Sequence, residues 1–98
     1  MSSFELNQTA DGVFEIVGEM SFDTVAQILK STELSFAQSG ETQVNLSQVD
    51  KADSAGLALL LEWKAQARKR NAVVRFVDVP DSLLSIAKTT EVSELIVD

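Results

Sequence analysis

The chain has 98 residues, 45% of them hydrophobic, carries a formal net charge of −7 and contains neither cysteine nor histidine. That length suits one domain, which buries about two thirds of its unfolded surface, and the composition is too apolar for a disordered chain. The missing residue types remove thiol nucleophiles, imidazole acid–base chemistry and the usual zinc, iron and copper ligands, and no acidic run has calcium-loop spacing, so neither catalysis nor a cofactor is expected.

Phe4 to Gln8 sets Phe4, Leu6 and Gln8 against Glu5 and Asn7, the alternation of a half-buried strand. Asp11-Gly12 is a tight-turn dipeptide, and Val13 to Val17 reads as the second arm of a hairpin. The stretch Gly18 to Asp23 breaks that strand and offers Ser21 or Asp23 as a helix cap. In the helix that follows, Phe22, Val25, Ala26, Leu29, Phe36 and Ala37 share one side, and Gly40 closes it. Thr42 to Ser47 alternates again and predicts a third strand, with a polar loop from Gln48 to Ser54.

A second helix of about four turns runs from this loop to Asn71, a residue that tolerates the left-handed cap conformation. Ala72 to Val79 is nearly continuously apolar, the pattern of a strand buried on both faces. Pro80-Asp81 starts a third helix with Leu83, Leu84 and Ala87 on its apolar side, and Glu94 to Val97 suits either a short strand or a helix. The order β-β-α-β-α-β-α predicts an α/β fold with a mixed sheet and helices laid on it, as one domain spanning residues 1–98.

The net charge repels nucleic acid and anionic headgroups. The longest apolar run, Leu57 to Leu61, falls far short of the about 20 residues of a membrane span. Residues 1–8 have neither a basic region nor an apolar signal region. A cytoplasmic chain with no nucleic-acid partner and no membrane insertion is the expectation. Five of the eight Lys and Arg residues fall between positions 64 and 75. Cations at a helix C-terminus offset its dipole; a small basic patch for an acidic partner is the other reading.

The run Asp53-Ser54-Ala55-Gly56-Leu57 is the most informative feature, because a carboxylate, a hydroxyl and a glycine meet where a strand pattern passes into an apolar helix. Asp53 and Ser54 are both good N-caps, and Gly56 allows close packing. On the helix, Leu57, Leu60, Leu61 and Ala67 define a core side, with Ala65 at its flank. Leu59 lies off that side, and Trp63, at its other edge, is spaced i, i+4 from Leu59. Either a partner protein or another element of the same domain covers this pair.

Ile16-Val17-Gly18-Glu19-Met20, Val44-Asn45-Leu46-Ser47 and Asp53-Ser54-Ala55-Gly56-Leu57, in this order, resemble a STAS domain. That family comprises anti-sigma-factor antagonists and the cytoplasmic tails of sulfate transporters. The likeness extends to Leu84-Ser85-Ile86-Ala87-Lys88 and Glu94-Leu95-Ile96. The run Gly56 to Leu61 is most similar to the branch that supplies the small cytoplasmic subunit of Mla-type ABC systems, which traffic phospholipid between the two Gram-negative membranes.

This resemblance implies a non-catalytic subunit that binds an MlaF-like ATPase subunit, reaches the membrane permease through it, and supports the assembly or activity of the transporter. Asp53, Ser54 and Gly56 would shape the docking loop, and Leu57, Leu59 and Trp63 would supply apolar contacts. In the antagonist branch the residue matching Ser54 is phosphorylated by an anti-sigma kinase, which implies the alternative of a phosphoswitch at Ser54. Ala55 stands where many phosphoswitch members carry a second hydroxyl, and Asn71 where a glycine is often found.

Overall fold

The computed structural model describes residues 4–37 and 40–90. β1 (Phe4–Ala10) and β2 (Val13–Met20) form the antiparallel hairpin. Gly12 in its turn has φ 72°, a conformation that costs a glycine nothing sterically. α1 (Val25–Ala37), β3 (Glu41–Ala52), α2 (Ser54–Lys69), β4 (Val73–Val77) and α3 (Asp81–Thr89) follow in the expected order. The sheet order is β1-β2-β3-β4, with β2–β3 and β3–β4 parallel. Crossovers between parallel strands are right-handed, and two that step the same way along a sheet lie on one face. α1 and α2 are therefore neighbours, and the channel between them is a consequence of the topology.

The buried apolar strand residues are Phe14, Ile16 and Met20 of β2, Val44 and Leu46 of β3, and Val74 and Phe76 of β4. Phe14, Val44 and Phe76 are register partners and form a row across the sheet. Ile28, Phe36, Leu57, Leu60, Trp63, Ala67, Leu83 and Ala87 from the helices close the same cluster. Aromatic rings link the layers, with Phe14 to Phe36 at 4.9 Å, Phe36 to Trp63 at 5.2 Å and Trp63 to Phe76 at 6.2 Å between centroids. Trp63 Nε1 donates to Thr32 Oγ1 at 3.0 Å, so two buried polar groups satisfy one another.

Several boundaries differ from the sequence expectation. β2 runs on to Met20, because Gly18 at φ 102° and two register shifts let the strand bend without leaving the ladder. Most of the expected loop after Ser47 is strand as well: Gln48, Val49, Lys51 and Ala52 pair with Val17, Gly18, Glu19 and Met20. Gln48, Asp50 and Lys51 are exposed while Val49 and Ala52 are half-buried against the core, a broken alternation, and backbone pairing continues this part of β3. β4 is buried on one face only, with Val73 48% exposed. Asn71 takes φ 55° after α2, as its left-handed tolerance predicts.

Both long helices turn differently from the wheel reading. α1 buries Ile28, Thr32 and Phe36, while Phe22, just ahead of it, is 82% exposed and Ala26 is exposed. α2 buries Gly56, Leu57, Leu59, Leu60, Trp63 and Ala67, and Leu61 is only half-buried. Ser21 is the cap ahead of α1: its Oγ accepts from the Asp23 amide at 3.4 Å, and Thr24 Oγ1 accepts from the Ser21 amide at 3.0 Å. The short element expected at Glu94 to Val97 lies outside the described residues.

Candidate functional site

β2 and β3 end side by side, and the chain leaves each of them into a helix. Asp53 joins the two exits. Its Oδ1 accepts from the amides of Ala55 at 2.9 Å and Gly56 at 3.4 Å, which caps α2. Its Oδ2 accepts from the amide of Phe22 at 3.2 Å, across to the turn that leads into α1. The Asp53 amide itself donates to Met20 O at 3.4 Å. One half-buried carboxylate thus satisfies an orphan helix terminus and fixes the neighbouring loop.

Gly56 sits where α2 passes over the end of β2. A Cβ there would lie 2.5 Å from Met20 O, so no side chain fits without movement. Ser54, the first residue of α2, is exposed and presents its hydroxyl at the amide end of the helix that Asp53 caps. Glu19 completes the junction, with one carboxylate oxygen accepting from Ser21 Oγ and the other 3.8 Å from Lys51 Nζ.

The six residues singled out from sequence separate into two groups. Asp53 and Ser54 reach the surface. Gly56, Leu57, Leu59 and Trp63 are buried, with Leu59 4% and Trp63 2% exposed. The expected apolar contacts from Leu57, Leu59 and Trp63 to a partner are corrected accordingly: all three are buried in the core of the domain, and Phe36 and Thr32 of α1 occupy the space beside the indole.

An exposed apolar surface does exist at this end, one helix away from the expected place. An open groove of about 390 Å³ lies between α1 and α2. Phe22, Val25, Ala26 and Leu29 form one wall, and Ala55, Ala58, Leu59 and Glu62 form the other. Leu59 contributes only its last exposed edge, as floor. The sequence signal was the apolar side of α1, since Phe22, Val25, Ala26 and Leu29 add to Ile28 and Phe36 more apolar residues than one core face takes. Ala55 and Ala58 carried no signal, because alanine is equally at home on any helix face.

No cluster of three or more acidic side chains suited to a metal ion occurs among the described residues. No helix among them is long and apolar enough to cross a membrane.

A hairpin and two crossovers, with a capped, hydroxyl-bearing helix start at the exit of the third strand, are the features of a STAS domain. The family model that matches, described as "Mlab, STAS domain", spans residues 5–98, and the chain belongs to that family. No curated protein matches the chain. Among solved structures, it is similar to the anti-sigma factor antagonist SpoIIAA in its unphosphorylated form, with TM-score 0.73 and 16% identity over 97% of this chain and 86% of that one. It is also similar to the phosphorylated form of SpoIIAA, described as a Bacillus cell fate determinant, with TM-score 0.69 and 16% identity over 97% and 89%. An anti-sigma factor antagonist from Mycobacterium paratuberculosis shows TM-score 0.69 and 18% identity over 95% and 80%. These likenesses establish the fold. STAS domains generally mediate protein–protein interactions.

Proposed function

We propose that this chain is a non-catalytic STAS subunit that binds the ATPase subunit of an Mla-type ABC transporter and supports its assembly or activity in phospholipid trafficking. The match of the MlaB family model across residues 5–98 carries this reading. The surface offered to the ATPase is the α2 start with Ser54 and Asp53, continued by Phe22 and the groove beside it. A rigid, capped helix end with an apolar strip next to it suits protein docking, where affinity comes from a few well-packed anchors. The protein then reaches the inner membrane through its partner, from the cytoplasmic side.

The test is purification of the C-terminally tagged protein from its native cell after detergent solubilisation of membranes. The expected result is recovery of an ABC ATPase together with an integral permease. Recovery of a soluble kinase without a permease overturns the reading.

The exposure of Ser54 favours a second reading, an anti-sigma-factor antagonist phosphorylated on Ser54 by its kinase partner. A phosphate there brings about −1.5 to −2 charges to a surface that must be desolvated for docking, while the amide end of α2 tolerates it in the free protein. Intact mass spectrometry decides this point, because a regulatory phosphate has to occupy a sizeable fraction of the native protein under some growth condition.

A further inference from the structure

We propose that the groove between α1 and α2 receives an amphipathic helix of the partner protein, its aliphatic side chains seated along the groove and its Lys or Arg side chains meeting an acidic rim. This rests on the partner-binding reading above and specifies the chemistry of the partner's docking segment.

Both walls have the same periodicity. Phe22, Val25, Ala26 and Leu29 are spaced i, i+3, i+4, i+7, and so are Ala55, Ala58, Leu59 and Glu62. Each wall is therefore a two-turn strip, roughly 11 Å long at 1.5 Å per residue. Such a channel between two helices matches the apolar strip of a third, which is the helix-in-groove mode of recognition. Ala26, Ala55 and Ala58 keep the walls low, so an incoming backbone can approach closely. Phe22, 82% exposed, stands at the mouth as an unspent apolar contact.

Charge selects among occupants. Glu62 lines the groove, Asp23 is exposed beside Phe22, and Asp53 holds the Phe22 amide through Oδ2. No Lys or Arg lines it. Lys30 of α1 belongs to a different hollow, with Phe4, Gln27 and Ser31. The cations Arg68 and Lys69 lie at the far end of α2, about 15 Å along the helix from Ala58. With −7 overall, this rim disfavours anionic lipid and a second copy of the same chain, and it favours a basic flank. The exposed carboxylates contribute chiefly to association rate and selectivity, and the apolar strip to the lifetime of the complex.

The experiment places a benzophenone photo-crosslinking amino acid at exposed Ala58, or at Ser54 as reference, in the native cell, and identifies the joined peptide by mass spectrometry. The expected product at Ala58 is a peptide of the ATPase subunit with apolar residues at helical spacing and Lys or Arg within one turn of them. In purified protein, Ala58→Arg and Glu62→Lys are expected to weaken the complex by roughly tenfold or more, with circular dichroism unchanged. Lys30→Glu, on the other side of α1, is expected to have no effect.

A lipid adduct, an adduct to a second copy, or a peptide without basic residues at Ala58 overturns the proposal. So does binding indifferent to Ala58→Arg and Glu62→Lys. ATPase captured from Ser54 but not from Ala58 rejects the groove and leaves the transporter reading intact. A kinase peptide of the stated pattern at Ala58 keeps the groove and rejects the transporter reading. Silence at both positions rejects both.

Discussion

Gly56 shows how a single missing Cβ positions the site. With Met20 O only 2.5 Å from where that atom would be, α2 lies against the end of β2 because nothing intervenes. Gly56→Ala is expected to destabilise the fold by about 1–3 kcal/mol, the range for overpacking a tight contact, measured by urea denaturation. Leu59 presents the opposite case, a residue whose side chain is needed. It is 4% exposed inside the apolar cluster, so a carboxylate there has no partner and little water. Leu59→Asp is expected to cost several kcal/mol and to unfold the domain. A native circular-dichroism melt for that variant would return Leu59 to the surface. The wheel reading put it outside the core because a wheel knows one helix at a time.

At the scale of elements, α2 is governed by its first turn. Asp53 supplies the cap, worth about 1 kcal/mol where such caps are replaced by alanine, and leaves Ser54 free of that duty. Ser54→Asp puts an acid in the first turn, which favours the helix dipole by a few tenths of a kcal/mol, about 0.3–1 at most. The expected outcome is a melting temperature equal to or slightly above that of the parent. A clear loss of stability would mean that the Ser54 hydroxyl is structural. If it folds well and fails to bind the partner, the effect belongs to the interface. Asp53 also ties Phe22 to this turn, so the cap of α2 and the lip of the groove are parts of one arrangement.

For the whole molecule, stability rests on the aromatic chain that connects both layers. Phe14 and Phe76 stand on the sheet, and Phe36 and Trp63 descend from α1 and α2 between them. Phe36 is the contribution of α1 to this chain, beside Ile28 and Thr32 of the same helix in the buried interior. Phe36→Ala is expected to cost about 3–5 kcal/mol. Small domains have only about 5–15 kcal/mol in total, so a large fall in the denaturation midpoint should follow, with α1 loosening from α2. The same variant is expected to disperse the groove, since α1 forms one of its walls.

Much of this was legible in the residues themselves. The hairpin, the crossover order, the α/β class and a cap at Asp53 or Ser54 follow from alternation, turn chemistry and capping preference, all local properties of the chain; the geometry chose Asp53. That Ser54 stands at the start of α2 was legible too; that it is exposed while Asp53 beside it is half-buried came from the packing. The extension of β3 to Ala52 was not, since ladder hydrogen bonds leave no mark on side-chain alternation. Nor was the fate of the apolar stripes. Two helices on one face of a sheet share a boundary, and packing alone decides which stripe is buried there. Leu59 and Trp63 went inward, Trp63 against Phe36 and Thr32 of α1, while Phe22 and Ala26 stayed exposed and half-buried Val25 and Leu29 line the groove with them. Local sequence determines that a stripe is apolar; only the tertiary neighbour determines whether it is covered.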